Sequence, residues 1–262
     1  MKKILYYYHD SCGIGDFYLL FPIFDALRKK HKDDNITLLS NELIKDIAQG
    51  KDYFDNYLDI FSTDYPINRY DRCYSWDIQK YGITLFYPPK KHFWEIISEN
   101  LDLTLDRDNF PNIFHIETSE KDKRQIDEFI HNDIHFTGGS WKPLNGPIIV
   151  LHTGHSYKFP YGKSPNYEWW IELVNALPDA NFIQVGTREE SSPDKPSRIV
   201  ADYKINAPNC FDLRDEISIR QVAYLIEKSD TFIAIDSITA HLSLHSRKRG
   251  IVLWGSSNPN TH

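Results

Sequence analysis

The sequence predicts an α/β protein made of two Rossmann-like halves, each a parallel sheet flanked by helices, facing each other across a cleft. Three observations support this. The chain opens with a strand, a glycine-containing loop, an apolar helix and a second strand. From residue 147 onward, strand and helix patterns alternate regularly, which is the signature of a parallel sheet with helices on its faces. Between these regions lies His135–Gly146, where glycines, a serine and a proline crowd into a linker-like stretch. The expected domains are therefore 1–140 and 147–262.

In the first half, Ile4–Tyr8 reads as a strand, followed by the loop His9–Asp16. Phe17–His31 carries apolar residues at helical spacing (Leu20, Ile23, Phe24, Leu27), with Pro22 predicting a kink or a late helix start. Asn35–Ser40 is the second strand and Glu42–Gln49 a short helix. Residues 51–89 are irregular, with short strands at Tyr57–Phe61 and Cys73–Trp76. Lys90–Leu103 and Glu120–His131 are predicted helices, the latter amphipathic with Ile126, Phe129 and Ile130 inward.

The second half predicts strands at Ile148–His152, Asn181–Val185, Thr231–Ile235 and Gly250–Trp254. Its helices are Tyr167–Leu177, Ile217–Lys228 and Ser237–His245. No solenoid-type repeat is present.

Composition narrows the function. With 41% hydrophobic and 26% charged residues, the chain is of ordinary soluble globular type. No apolar run approaches the roughly 18 residues of a membrane span, and Met1-Lys2-Lys3 leads straight into a strand, so no signal peptide is expected. Cys12, Cys73 and Cys210 form no CxxC, which points to a reducing compartment, and a cytoplasmic protein is expected. The net charge is −7, and residues 1–146 hold most of it, with 18 Lys and Arg against 24 Asp and Glu. An acidic surface argues against nucleic acid as a partner. Aromatic residues make up 14% of the chain and suit either a core or stacking on sugars and bases.

Candidate chemistry gathers at the ends of strands. In Thr231–Ile235 followed by Asp236-Ser237-Ile238-Thr239-Ala240-His241, a buried strand hands over to a helix, presenting backbone N–H groups suited to a phosphate. An ordinary Asp/Ser helix cap is the simpler alternative. Three further loops follow strands of the same sheet: Thr153-Gly154-His155 with the later Lys163, Gly186–Glu189, and Gly255–Asn258. A lysine beside helix N-termini completes a diphosphate pocket electrostatically. In the first half Asp16 stands where a helix begins, either as a cap or as a general base. Gly13-Ile14-Gly15 is a weak dinucleotide signal, since the third glycine would fall at Tyr18 and the second strand ends in Ser40-Asn41 without an acidic residue. His241 and His245 share helical spacing, but Leu242 follows His241 where an HExxH site has glutamate, so no metal site is expected.

Five segments together resemble glycosyltransferase family 9, the ADP-heptose:lipopolysaccharide heptosyltransferases and their relatives. They are Gly13–Asp16 with Pro22, Lys163–Trp170, Asp212–Ile226, Asp236–His241 and Trp254–Pro259. The resemblance implies the two-domain GT-B fold. It also implies inverting, metal-independent transfer of a sugar, with heptose from ADP-heptose as donor and a cell-surface glycan or lipopolysaccharide-type acceptor. Asp16, with Gly15 beside it, would take the acceptor's hydroxyl proton. Lys163, the backbone at Asp236, Ser237 and Ile238, and His241 would hold the diphosphate. Thr153 would lie near the phosphates, Glu189 near the ribose and Ile217 along the base. No cofactor is expected, and the partners are a nucleotide-sugar and a glycan or glycolipid, with peripheral contact at the inner membrane. Ile238 stands where the family has glycine, and the family continues past the turn at 254–259, so 147–262 reads as cut short at its carboxyl end. Two alternatives stay open: a non-catalytic nucleotide-binding relative and a sugar-nucleotide epimerase.

Overall fold

The computed structural model describes residues 1–8, 13–48, 50–61, 67–76, 92–131, 144–156, 164–187, 200–201 and 204–255. The chain divides into two compact units between His115 and Ile116. The expected linker falls largely outside the described residues, and the division comes earlier in the chain than 140.

The first unit is a four-stranded parallel sheet of order β3-β2-β1-β4. Its strands are β1 (Lys3–Tyr8), β2 (Asn35–Ser40), β3 (Asn56–Asp59) and β4 (Arg72–Trp76). Ile4 of β1 lies between Ile36 of β2 and Arg72 of β4, which sets the register. The predicted helix at 17–31 is two helices, α1 (Ile14–Leu19) and α2 (Phe21–Lys30), separated at Leu20. Pro22 explains the break: it sits in the first turn of α2, where its missing N–H is not needed. Helix α3 is Glu42–Ala48, and the predicted helix at 90–103 is α4 (Phe93–Asn100). Its cap is reciprocal, with Trp94 N–H donating to His92 Nδ1 (3.3 Å) and His92 N–H donating to Glu95 (3.1 Å). Helix α5 (Phe110–Ile113) was not expected.

Aromatic rings fill this unit's core. Tyr8 packs edge-on against Phe17 at 4.9 Å between centroids, Phe17 lies 5.0 Å from Phe24, and Phe24 meets Phe54 at 5.2 Å. Edge-to-face packing adds about 0.5–1.5 kcal/mol per pair to the area buried. Much of the aromatic content is thus core.

The second unit begins with α6 (Glu120–His131) and continues with a five-stranded parallel sheet of order β11-β10-β5-β7-β9. The strands are β5 (Ile148–His152), β7 (Asn181–Gln184), β9 (Cys210–Asp212), β10 (Thr231–Ile235) and β11 (Gly250–Leu253). A small antiparallel pair joins β6 (His155–Ser156) to β8 (Val200–Ala201). Helices α7 (Tyr167–Ala176) and α8 (Ile219–Lys228) cross between strands. The predicted helix at 237–245 is two single turns, α9 (Ile238–His241) and α10 (Ser243–Ser246). One core gathers Ile149, Leu151, Trp170, Val174, Phe182, Ile205, Ile233 and Ile235.

Helix α6, placed before the linker by sequence, packs on α8 of this unit. Ile126, Phe129 and Ile130 are buried, Gln221 donates to Gln125 (2.8 Å), and the Tyr224 hydroxyl donates to Asp127 (3.1 Å).

Candidate functional site

The strand order of the second unit places its candidate site. From β5 the chain moves outward to β7 and β9, then returns to the other side of β5 for β10 and β11. Loops leaving the carboxyl ends of β5 and β10 therefore turn in opposite directions. Open α/β sheets bind ligands in the crevice that opens at such a reversal.

Two short segments meet there. His152 ends β5 and Thr153 follows it; Ile235 ends β10 and Asp236 and Ser237 follow. The segments are joined by a hydrogen bond between Ser237 Oγ and His152 Nδ1 at 3.0 Å. His152 is 9% exposed, and burial pushes its pKa from 6.5 down to about 4. The imidazole is thus neutral near pH 7 and too weakly basic to act as a general base. It is a fixed hydrogen-bonding partner.

Thr153 is held from two sides. Its Oγ1 accepts from Gln184 Nε2 (3.0 Å), and its carbonyl accepts from the Ser164 hydroxyl (2.9 Å). Gln184, fully buried at the end of β7, also accepts the Ile205 N–H (3.0 Å). Trp170 Nε1 donates to Ser164 Oγ (3.2 Å), so α7 anchors the residue that directly follows Lys163. Lys163 and Glu189 themselves lie outside the described residues.

At the turn into α9, Asp236 is buried and its Oδ1 lies 3.7 Å from His241 Nε2. The first intrahelical bond runs from His241 N–H to Ser237 O (3.2 Å), so the N–H groups at 238–240 precede the helical ladder. Ser237 is the N-cap, yet its side chain makes no capping bond. Ile238 begins α9 in right-handed helical conformation, so the backbone does not need the glycine of the family pattern. Since α9 is a single turn, its dipole is smaller than that of the longer predicted helix.

His245 has separate duties. Its Nδ1 accepts the Ile116 N–H (2.9 Å), its Nε2 lies 3.6 Å from Glu227, and the break at Leu242 takes it out of register with His241. Ile217 is half-buried directly before Ser218, the cap of α8. At the end of β9, Arg214 is buried in a two-point ion pair with Asp212 (2.8 and 3.0 Å).

In the first unit, Gly15 and Asp16 lie in the first turn of α1, after β1, where the order β3-β2-β1-β4 also reverses. The Asp16 carboxylate accepts the Gly13 N–H (3.1 Å), and the Tyr8 hydroxyl donates to Gly13 O (2.7 Å). Because α1 starts at Ile14, Asp16 caps from inside the helix and not from its cap position.

The second unit thus brings together Thr153, Asp236, Ser237, Ile238 and His241. Sequence reading missed His152 and Gln184. His152 was visible only as the end of a strand, and its partner lies 85 residues away.

No protein-family model matches the sequence, and no curated protein sequence does. Solved structures do match. A family 9 glycosyl transferase from Veillonella parvula is similar over 99% of this chain and 82% of its own, at 14% identity and a TM-score of 0.63. ADP-heptose lipopolysaccharide heptosyltransferase II of E. coli is similar over 100% of this chain and 87% of its own, at 13% identity and TM-score 0.59. TibC of enterotoxigenic E. coli, an iron-containing dodecameric heptosyltransferase solved with ADP-D-β-D-heptose, is similar over 100% of this chain and 60% of its own, at 12% identity and TM-score 0.59. Two parallel α/β sheets in this order, matched along the whole chain, give the protein the GT-B fold of the family 9 glycosyltransferases.

Proposed function

We propose that the protein is an inverting, metal-independent glycosyltransferase that moves heptose from ADP-heptose onto a cell-surface glycan or lipopolysaccharide-type acceptor. The observation that carries this reading is the cluster His152, Thr153, Asp236 and Ser237 at the strand reversal of the second sheet. In GT-B glycosyltransferases that reversal is where a nucleotide would be expected. The ADP-heptose bound by TibC favours an adenine nucleotide.

The chemistry divides between the units. Asp16 accepts the acceptor's hydroxyl proton as the acceptor oxygen bonds to the anomeric carbon. The bond from that carbon to the diphosphate oxygen breaks, and ADP leaves with the electron pair. Lys163, the backbone at 236–238 and His241 stabilise the departing charge, Thr153 adjoins the phosphates, Glu189 meets the ribose, and Ile217 borders the base. Lys163 and the backbone dipoles take the part that a divalent cation plays elsewhere.

Calorimetric titration with ADP, GDP, UDP and CMP in EDTA tests the reading. ADP should bind in the micromolar range and ahead of the others, and Lys163→Ala should weaken it at least about tenfold, the loss of one charge-assisted contact. Preference for another nucleotide would discard ADP-heptose, and absence of binding would discard the donor site.

One observation favours a second reading, a non-catalytic nucleotide-binding relative. The Asp16 carboxylate already caps Gly13 N–H, a role that requires no chemistry. That reading predicts ADP binding without consumption of ADP-heptose.

A further inference from the structure

Helix α7 is apolar over more of its surface than its sheet covers. At about 100° per residue, Tyr167, Trp170, Ile171 and Val174 form one arc of the helix. Trp169, Leu173 and Leu177 stand four residues apart and form a second arc beside it. Together they take more than half of the circumference, whereas a helix laid on one sheet needs an apolar stripe of only about 100°. The first arc enters the core, where Trp170 and Val174 are buried. The second does not: Trp169 is 39% and Leu177 44% exposed, with Leu173 half-buried between them.

One exposed apolar side chain is ordinary. This line of three is also held rigid at both ends. Asn166 caps the first turn by accepting the Trp169 N–H (3.0 Å), and the Trp169 ring packs edge-on against Trp170 at 4.9 Å between centroids. At the far end Asn209 Nδ2 donates to Leu177 O (3.0 Å) and Ala180 O (3.0 Å). A tryptophan ordered in advance loses little side-chain entropy on contact, which is why such residues anchor protein interfaces.

The surrounding charge selects the occupant. From Ser164 to Thr187 there is no lysine or arginine, and Glu168, Glu172 and Asp179 are all exposed. A second copy would set these carboxylates against their own kind, and an anionic bilayer would do the same. A cationic partner gains from them.

We propose that Trp169, Leu173 and Leu177 form a docking surface for an amphipathic helix of another protein, one whose apolar stripe is flanked by lysine or arginine. Trp169 is the anchor, and Glu168 and Glu172, one turn apart, read the partner's charge. The surface stands independently of the glycosyl-transfer reading.

The probe is a synthetic helix with a leucine stripe flanked by lysines, titrated calorimetrically into the full chain beside a leucine–glutamate counterpart. The lysine helix should bind in the micromolar range and the glutamate helix at least about tenfold more weakly. Trp169→Ser with Leu177→Ser leaves the charge unchanged and should weaken the lysine helix at least about tenfold. Glu168→Lys with Glu172→Lys should reverse the preference. No binding by the parent, or equal binding by parent and serine variant, would overturn the proposal; the second result would reduce the attraction to the net charge of −7. Sedimentation of the parent alone as a dimer that the serine variant dissociates would give the surface to a second copy and overturn it. Flotation with phosphatidylglycerol vesicles, abolished in the serine variant, would give it to a membrane and overturn it equally. If the serine variant fails to fold, the lysine pair still decides, because it alters only exposed carboxylates, and an unchanged preference would sink the idea.

Discussion

Asp16 and His152 show how one side chain can be read at two levels. The Asp16 carboxylate caps α1 through Gly13 N–H, and in the proposed chemistry it also takes a proton. Asp16→Asn separates the roles, because the amide oxygen can still accept from Gly13. Transfer should fall by about 10²–10⁴, the usual worth of a general base, while the melting temperature stays near that of the parent. Asp16→Ala should lose activity equally and also about 1 kcal/mol of stability. Full transfer by Asp16→Asn would remove the catalytic role. His152 predicts a pH effect on the fold. Its native pKa lies near 4 and its unfolded value near 6.5, so between these the unfolded chain binds a proton that the native one excludes. The residue's contribution is complete above about pH 6.5 and is lost as pH falls through about 4, amounting to about 3 kcal/mol. Urea unfolding at pH 7, 5.5 and 4.5 should show a steeper decline in the parent than in His152→Asn. Equal slopes would sink the prediction. Neither the His152–Ser237 bond nor its neutrality was legible in the sequence, since both arise from strands that become neighbours only on folding.

At the scale of elements, legibility followed length and period. β1, β2, β5, β7, β10 and β11 are runs of β-branched and aromatic residues, and the sequence located each within a residue or so. β9 was missed because Cys210–Asp212 is too short to display alternation. The helices at 17–31 and 237–245 carried a continuous apolar period, yet each is broken, at Leu20 and Leu242, and only the first break had a proline to announce it. Helix α6 was correctly located, but its partners were not legible, since the residues that hold it, Gln221 and Tyr224, lie about a hundred positions later. How strand ends are cross-braced was also invisible. Gln184 bonds Thr153 Oγ1 and Ile205 N–H at once, tying β5 to β7 at the candidate site. Gln184→Leu retains the volume but removes both bonds and leaves the buried Ile205 N–H without its acceptor. It should destabilise the chain by about 1–3 kcal/mol, read as a lower urea midpoint at unchanged slope. An unchanged midpoint would mean that this brace is not needed.

For the whole molecule, the division into two units turns donor binding into a regional prediction. The residues proposed for the donor, from Thr153 to His241, all belong to the second unit, whereas Asp16 belongs to the first. A ligand that binds only the folded protein stabilises it by about 2.7 kcal/mol at a hundred times its dissociation constant. Local opening should feel this most where the ligand touches, because amides exchange through openings of limited extent. Hydrogen exchange with and without saturating ADP should therefore show slowed exchange at 150–154 and 233–241. The strands β1 and β2 should exchange at the same rate in both conditions. Lys163→Ala at equal ADP concentration should reduce the protection in proportion to its lost affinity. Protection centred on β1 and α1 would move the nucleotide to the first unit and reverse the assignment of donor and acceptor. Uniform protection across both sheets would mean that the two units open together, and the site would then have to be located by the Lys163 variant alone.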